Sequence, residues 1–279
     1  NLTNGTLISS SGSLIDAKIT SLGGNWYNVS ITKFASSSSA VAVIQLVDDS
    51  NNTSYTGNGT GSIYIQDTQL ELGLVATPYI ETGASTAQAG ILENTPRFDY
   101  SGGASCPSLL LEPSRSNLVP QSEYFGDWVL SGVSIALGSL DSPTGDTNAY
   151  VLTQTITGYG SVYKSLATTS GTTYTASVFA KAGTSNYLGL ELRGSVNIDA
   201  TFDLSDGTLT SGTGVIEDYG NGWYRCSITE NISTSSALFL IGRGASGTAG
   251  DTTNLFGAQL EQGSYATSYI PTYGTSVTR

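Results

Sequence analysis

The chain has 279 residues, of which 11% are charged, yet its formal net charge is −12 at pH 7. A phosphate backbone needs a basic surface, so this balance argues against nucleic acid as a partner, and likewise against an anionic membrane. Histidine and methionine are absent, and no apolar run reaches the roughly 18 residues that a membrane-spanning helix needs.

In chain order, the first elements are strands. "SLIDAKITSL" (Ser13–Leu22), "NWYNVSIT" (Asn25–Thr32) and "SIYIQDTQL" (Ser62–Leu70) carry the β-branched and aromatic residues that suit a pleated surface. "AVAVIQLV" (Ala40–Val47) is nearly continuous apolar sequence, which predicts a strand buried on both faces or covered by a partner. From Ser85 to Trp128 the chain is punctuated by Pro and Gly and reads as a connector, with "SLLLEP" as one short strand or packed turn. Alternation then takes over. Tyr174, Ala176, Val178 and Ala180 face one way, with Thr175, Ser177, Phe179 and Lys181 opposite. Leu188, Leu190 and Leu192 turn inward, opposite Tyr187, Glu191 and Arg193. Val196, Ile198, Ala200 and Phe202 share a face, and Tyr224, Cys226 and Ile228 oppose Trp223, Arg225 and Ser227. "SSALFLIGR" and "NLFGAQLEQG" complete the set, and no stretch has a helical period.

Three phrases occur twice, in the same order. "NLTNGTLIS" from Asn1 returns as "DLSDGTLTS" from Asp203. "GGNWYNVSIT" from Gly23 returns as "GNGWYRCSIT" from Gly220. "DTQLELGLVATPYIET" from Asp67 returns as "GAQLEQGSYATSYIPT" from Gly257. The offset shrinks from about 202 to 197 to 190 positions, so the first copy carries longer loops. The expected organisation is therefore the C-terminal half of a β-sandwich module over residues 1–84, a connector over 85–127, and a complete second module over 128–279. The fold class is all-β, with tandem sandwich or jelly-roll modules of which the first is incomplete. A handful of strands cannot close a two-layer sandwich. The strands missing from the first copy are thus expected from residues upstream of Asn1 or from a neighbouring subunit.

"LENTPRFDYSGG…SLLLEPSRSNLVPQSEYFGDW", followed by "SPTGDTNAYVLT", "YTASVFAKAG", "GNGWYRCSIT" and "GAQLEQGSYATSYIPTYGTSVTR", resembles a module of bacteriophage virion proteins, found in head-fibre-like and tail-fibre-like chains. That module is similar to carbohydrate-binding jelly rolls. The connector phrase is its most specific part. The resemblance implies a virion surface component (a head fibre, capsid decoration protein or tail fibre) whose partners are other virion proteins and bacterial surface glycans. Fibre proteins of this kind are often homotrimers, so it also implies a homo-oligomer. The rival is the ancillary carbohydrate-binding region of a secreted polysaccharide-degrading enzyme, because "YTASVFAKAG" and "NGWYRCS" are shared with such modules.

Without histidine, the Ser-His-Asp and Cys-His arrangements and imidazole zinc sites are absent. Asp199 with Asp203, or Glu191 with Asp199, are the carboxylate pairs open to glycoside hydrolysis. They read instead as solvated charge on a sheet surface, and no enzyme is expected. Sugar binding needs aromatic rings to stack on pyranose faces and polar groups to read hydroxyls. Tyr159, Tyr163, Tyr187 and Arg193 are the candidates, on outer faces or in "TGYGSVY". Trp26 and Trp223 recur in equivalent blocks and are expected to pack. Calcium is the other candidate ligand, through Asp141 and Asp146 in the oxygen-rich loop "LDSPTGDTN". Cys106 and Cys226, in unlike contexts, are expected as small buried side chains and not as a bridge.

Overall fold

The computed structural model describes residues 1–8, 14–35, 41–48, 50, 52–53, 56–57, 59, 62–74, 76, 79–82, 98–99, 108–194, 197–242 and 246–279. Most of the connector's first half, Cys106 included, lies outside them, as does Val196. Among the described residues there is no helix. The chain divides into two compact units, residues 1–72 with 76–90, and residues 73–75 with 91–279.

Among its described residues the first unit holds one hairpin, β1 (Leu14–Gly23) against β2 (Trp26–Lys33). Gly23, Gly24 and Asn25 all have positive φ (85°, 59°, 63°), which lets the chain reverse tightly. Two predicted strands do not form. Among the described residues "AVAVIQLV" and "SIYIQDTQL" have no ladder, and Val41 and Val43 are 85% and 74% exposed. Apolar sequence favours a strand only where partner strands satisfy its backbone and cover its side chains; the hairpin alone supplies neither.

In the second unit β3 (Phe98–Asp99) pairs with β4 (Ser108–Leu109). The short β5 (Ser116–Asn117) pairs with β18 (Val277–Thr278) near the other end of the chain. Between them run β6 (Val129–Ser131), β7 (Val133–Leu137), β8 (Tyr150–Gln154), β9 (Ser161–Ala167), β10 (Thr172–Ala182) and β11 (Tyr187–Arg193). There follow β12 (Asn197–Asp203), β13 (Thr208–Gly212), β14 (Val215–Asp218), β15 (Trp223–Ile232), β16 (Ser236–Ile241) and β17 (Thr252–Gln262). They form two six-stranded antiparallel sheets, ordered β14-β15-β10-β17-β8-β7 and β13-β12-β11-β16-β9-β6, and the fold is an all-β sandwich. The predicted alternation sets its core. Ala176, Val178, Ala180, Cys226, Ile228 and Leu260 from the first sheet are buried, as are Leu188, Leu190, Leu192, Phe202, Phe239 and Ile241 from the second. Cys226 is a free, buried thiol.

The outer face of the first sheet is closed as well. Asn117 makes four hydrogen bonds there, donating to Ala258 O and Ile270 O and accepting from Val119 N and Leu260 N. Ser122 and Thr272 tie the connector to the C-terminal tail through backbone and hydroxyl bonds. Beneath this strap Thr175, Ser177, Arg225, Gln259 and Glu261 are almost wholly buried, a burial that alternation alone does not reveal. Arg225 donates through Nη1 to Thr267 O at 2.5 Å and lies 5.3 Å from the Phe179 ring centre. Glu261 accepts from Thr267 N (2.9 Å), Thr267 Oγ1 (2.6 Å) and Gln259 Nε2 (2.6 Å). Trp223 packs in a small apolar cluster with Ala149, Phe179 and Phe256 and donates from Nε1 to Asp141 O at 3.1 Å. The packing expected of Trp223 is thus present. For Trp26 it is not: that residue is 42% exposed, because β2 lacks the covering strap and strands.

Candidate functional site

Two inner faces make the core and a strap closes the third, so among the described residues the outer face of the β13-β12-β11-β16-β9-β6 sheet is the open one. Register decides what stands on it. Val129, Tyr163, Leu240, Glu191 and Asp199 lie directly opposite one another in a row across β6, β9, β16, β11 and β12. Four interstrand spacings of about 4.8 Å make this row roughly 19 Å long. One step to one side stand Ser165, Leu238 and Arg193. On the other side Gly189 lies opposite Thr201 and Thr201 opposite Ser211, and then Tyr187 opposite Asp203.

Exposure along the row gives the surface its relief. Val129 is 52% exposed and Asp199 exposed at the ends, while Leu240 and Glu191 in the middle are 5% and 6% exposed. Thr201 is also buried, and Tyr187 stands 49% exposed. The middle of the sheet is therefore covered by its neighbouring side chains while the ends stand exposed. The charge of Glu191 is held there by Arg193, whose Nε and Nη2 lie 2.9 and 2.8 Å from Glu191 Oε1. A buried carboxylate needs such a partner. Here the structure corrects the expectation of simple solvated charge for Glu191, since alternation gives a residue's face but not how closely its neighbours cover it. At the other side, hydrogen bonds from the Ser205 side chain and backbone, and from Tyr187, hold Asp203 below the ordinary carboxylate range.

Of the sequence candidates, Tyr163, Tyr187 and Arg193 come together on this one face. Tyr159 does not lie on a strand: it is exposed in the turn bridged by Gly158 and Gly247, ahead of β9. Sequence reasoning missed Leu240, Thr201 and Val129. Leu240 sits in the apolar run "ALFLI", where nothing marks Leu238 and Leu240 as the residues that turn away from the core. Asp141 and Asp146 share a loop, as expected, but each closes on a threonine. Thr147 Oγ1 donates to Asp141 Oδ1 at 2.8 Å, and Thr144 Oγ1 to Asp146 Oδ2 at 3.3 Å. Calcium takes about six to eight oxygens, and among the described residues no group of three or more acidic, Cys or His side chains is gathered anywhere.

Two hollows compete with the open face. One, of about 40 Å³, lies beside Tyr187 and is lined by Gln154, Leu188, Asp251 and Thr253; it has room for water but not for a sugar ring. The other, of about 550 Å³, is lined by Arg115, Leu118, Thr168, Tyr174 and Gln262. Its one aromatic residue, Tyr174, is 3% exposed, and its hydroxyl is engaged by Thr169 N, so no ring is presented there.

No protein-family model and no curated protein sequence matches the chain. Solved structures do. TmCBM61, determined with β-1,4-galactotriose, is 14% identical over 53% of this chain and 99% of its own, with a TM-score of 0.36. The CBM22-1 xylan-binding domain of Xyn10C from Paenibacillus barcinonensis is 12% identical over 55% of this chain and 95% of its own, TM-score 0.35. The enzymatically active domain of tailspike protein 4 from bacteriophage CBA120 is 12% identical over 52% of this chain, TM-score 0.34, and this chain spans 21% of its length.

Proposed function

We propose that the second unit is a glycan-binding sandwich displayed on a virion surface, and that the open face of the β11-containing sheet is where the glycan lies. The observation that carries this reading is the convergence of Tyr163, Tyr187 and Arg193 on one sheet face. The tyrosine rings offer apolar surface to pyranose faces, while Arg193, Asp199, Asp203 and Thr201 exchange hydrogen bonds with hydroxyls. Asp203 orients Tyr187 through its hydroxyl. Three carboxylates against one guanidinium make the face acidic, which favours neutral glycans over anionic ones. Each site is shallow, so useful adhesion comes from many copies acting together. The virion placement is supported by the connector phrase "TPRFDY…LLLEPSRSNL".

Glu191 and Asp199 are cross-strand neighbours, a pairing that places carboxyl groups about 5 Å apart at their Cβ atoms. Arg193 already occupies Glu191, so binding without cleavage is the expected behaviour. Titrating the chain with neutral bacterial surface polysaccharides should give saturable retention. Tyr187→Ala should weaken it about tenfold, a loss of roughly 1.4 kcal/mol, with Tyr64→Ala as an unaffected control. Equal retention by Tyr187→Ala sinks the assignment of the face. Release of reducing ends that disappears in Asp199→Asn favours the enzyme reading instead.

A further inference from the structure

The larger hollow of the second unit is built differently from the sheet face. Its wall takes Ser114 and Arg115 from the connector, Thr168 and Thr169 from the turn between β9 and β10, and Gln262 from the end of β17. About 550 Å³ is room enough for a small ligand, since such sites usually span roughly 300–1,000 Å³. The wall offers no exposed ring, so its polar groups decide what it can hold.

Arg115 is fixed through its backbone. Its N donates to Arg279 O at 2.9 Å and its O accepts from Arg279 N at 2.8 Å, which prolongs the β5–β18 pairing. The guanidinium is not committed in this way. It forms no hydrogen bond with a described residue, and its Nε is buried without an acceptor. The carboxylate it approaches, Glu261 Oε2, stands 3.9 Å from Nε, and Glu261 is already bonded to Thr267 and Gln259. Two neighbours hold the guanidinium where it is. The Tyr265 ring centre lies 5.9 Å from Arg115 Cζ, within cation–π range. Gly263 (φ 148°) leaves it space, because a Cβ there would stand 2.9 Å from Nε and Nη2. The chain carries a net charge of −12, yet here two arginines sit opposite one another on paired backbone. Around them the Gln262 amide and the Ser114 and Thr169 hydroxyls are exposed and make no hydrogen bond with a described residue.

A guanidinium is a planar fork of donors that matches a carboxylate with two parallel bonds. We propose that this hollow is a second glycan site, separate from the sheet face, and that it takes a sugar bearing a carboxylate. Arg115 receives the carboxylate, and Gln262, Ser114 and Thr169 exchange hydrogen bonds with the ring hydroxyls. The assignment stands on these residues alone and does not depend on the reading of the sheet face.

Trigalacturonate and its methyl ester, titrated calorimetrically into the full chain at low salt, test it. The ester keeps every hydroxyl and loses only the charge. The acid should bind saturably, one per chain, and the ester about tenfold more weakly. Arg115→Gln should weaken the acid about tenfold and abolish the difference between acid and ester. Gln262→Ala changes an exposed side chain with no bond to lose, and should weaken both forms about threefold. Tyr187→Ala should leave the acid unaffected. Absence of binding would overturn the proposal, as would equal binding of acid and ester. So would loss of binding in Tyr187→Ala but not in Arg115→Gln, which would move the acid to the sheet face. Displacement of the trisaccharide by an equal concentration of acetate would also overturn it, since the site would then hold a carboxylate ion and not a sugar.

Discussion

The hairpin at Trp26 and the hairpin at Trp223 share a turn and six of ten residues, but differ in what lies over them. Trp223 is 2% exposed and Trp26 42%. The turn forms in both, as do the contact of Tyr27 with Gly5 and of Tyr224 with Gly207 and the hook in which Gln69 Oε1 accepts from Ile80 N and Gln259 Oε1 from Ile270 N, because each needs partners a few residues or one loop away. Burial of the tryptophan, of Ile228 and of Leu260 needs β10, the sandwich's second sheet and the connector–tail strap. Those come from distant parts of the chain. The comparison separates what a phrase of sequence does unaided from what it does inside a closed sandwich.

The sharpest way to break that contrast is to truncate both tryptophans. Trp223→Ala removes a ring from a closed apolar cluster together with its hydrogen bond to Asp141 O, and should cost about 3–5 kcal/mol in urea unfolding. Trp26→Ala should cost less than about 1 kcal/mol, as surface changes do. Similar losses in the two variants would mean that Trp26 is covered in solution.

Next in size is a pH effect confined to the second copy. Tyr269 packs under the strap, while its counterpart Tyr79 is 50% exposed. Beside Tyr269, burial pushes Glu123 from its ordinary value of 4.5 up to about 7, against the pull of hydrogen bonds from Tyr273, Tyr269 and Asn148; Asp146 adds to the rise. A raised carboxyl value means that the native state holds a proton the unfolded chain has released. Stability from this group is therefore greatest below pH 4.5, falls as pH rises through the window to about 7, and is level above it. The swing is about 3 kcal/mol at most. Glu123→Gln should be the more stable protein at pH 8 and lose this slope. An unchanged slope in the variant would place the titration elsewhere.

The smallest difference concerns the hook. Gln259→Ala leaves Ile270 N–H buried without its acceptor, which should cost about 2 kcal/mol. Gln69→Ala opens the equivalent bond where water can replace it, and should cost about 0.5 kcal/mol or less. Thermal unfolding of the two single variants measures both, and equal costs would show that the hook works alike in open and closed surroundings.

Much of this was legible in the order of residues. Period-2 alternation placed Leu188, Leu190 and Leu192 in the core and Tyr187, Glu191 and Arg193 opposite them, because a strand turns its side chains by a fixed half-turn. The repeat located three local motifs that the structure builds twice, and the missing histidine narrowed the chemistry before any fold was known. Tertiary structure decided the rest. Alternation assigns a residue to a face but cannot say whether that face is core, covered or open. Thr175, Arg225 and Glu261 look like surface residues and are sealed by a strap that joins Asn117 to Ile270 across about 150 positions. Tyr163, Tyr187 and Arg193 meet on one open face because β9, β16 and β11 are neighbours in a sheet whose order is not the order of the chain. Strand pairing and layer coverage are contacts between distant segments, and that is why the same phrase around tryptophan is core in one copy and surface in the other.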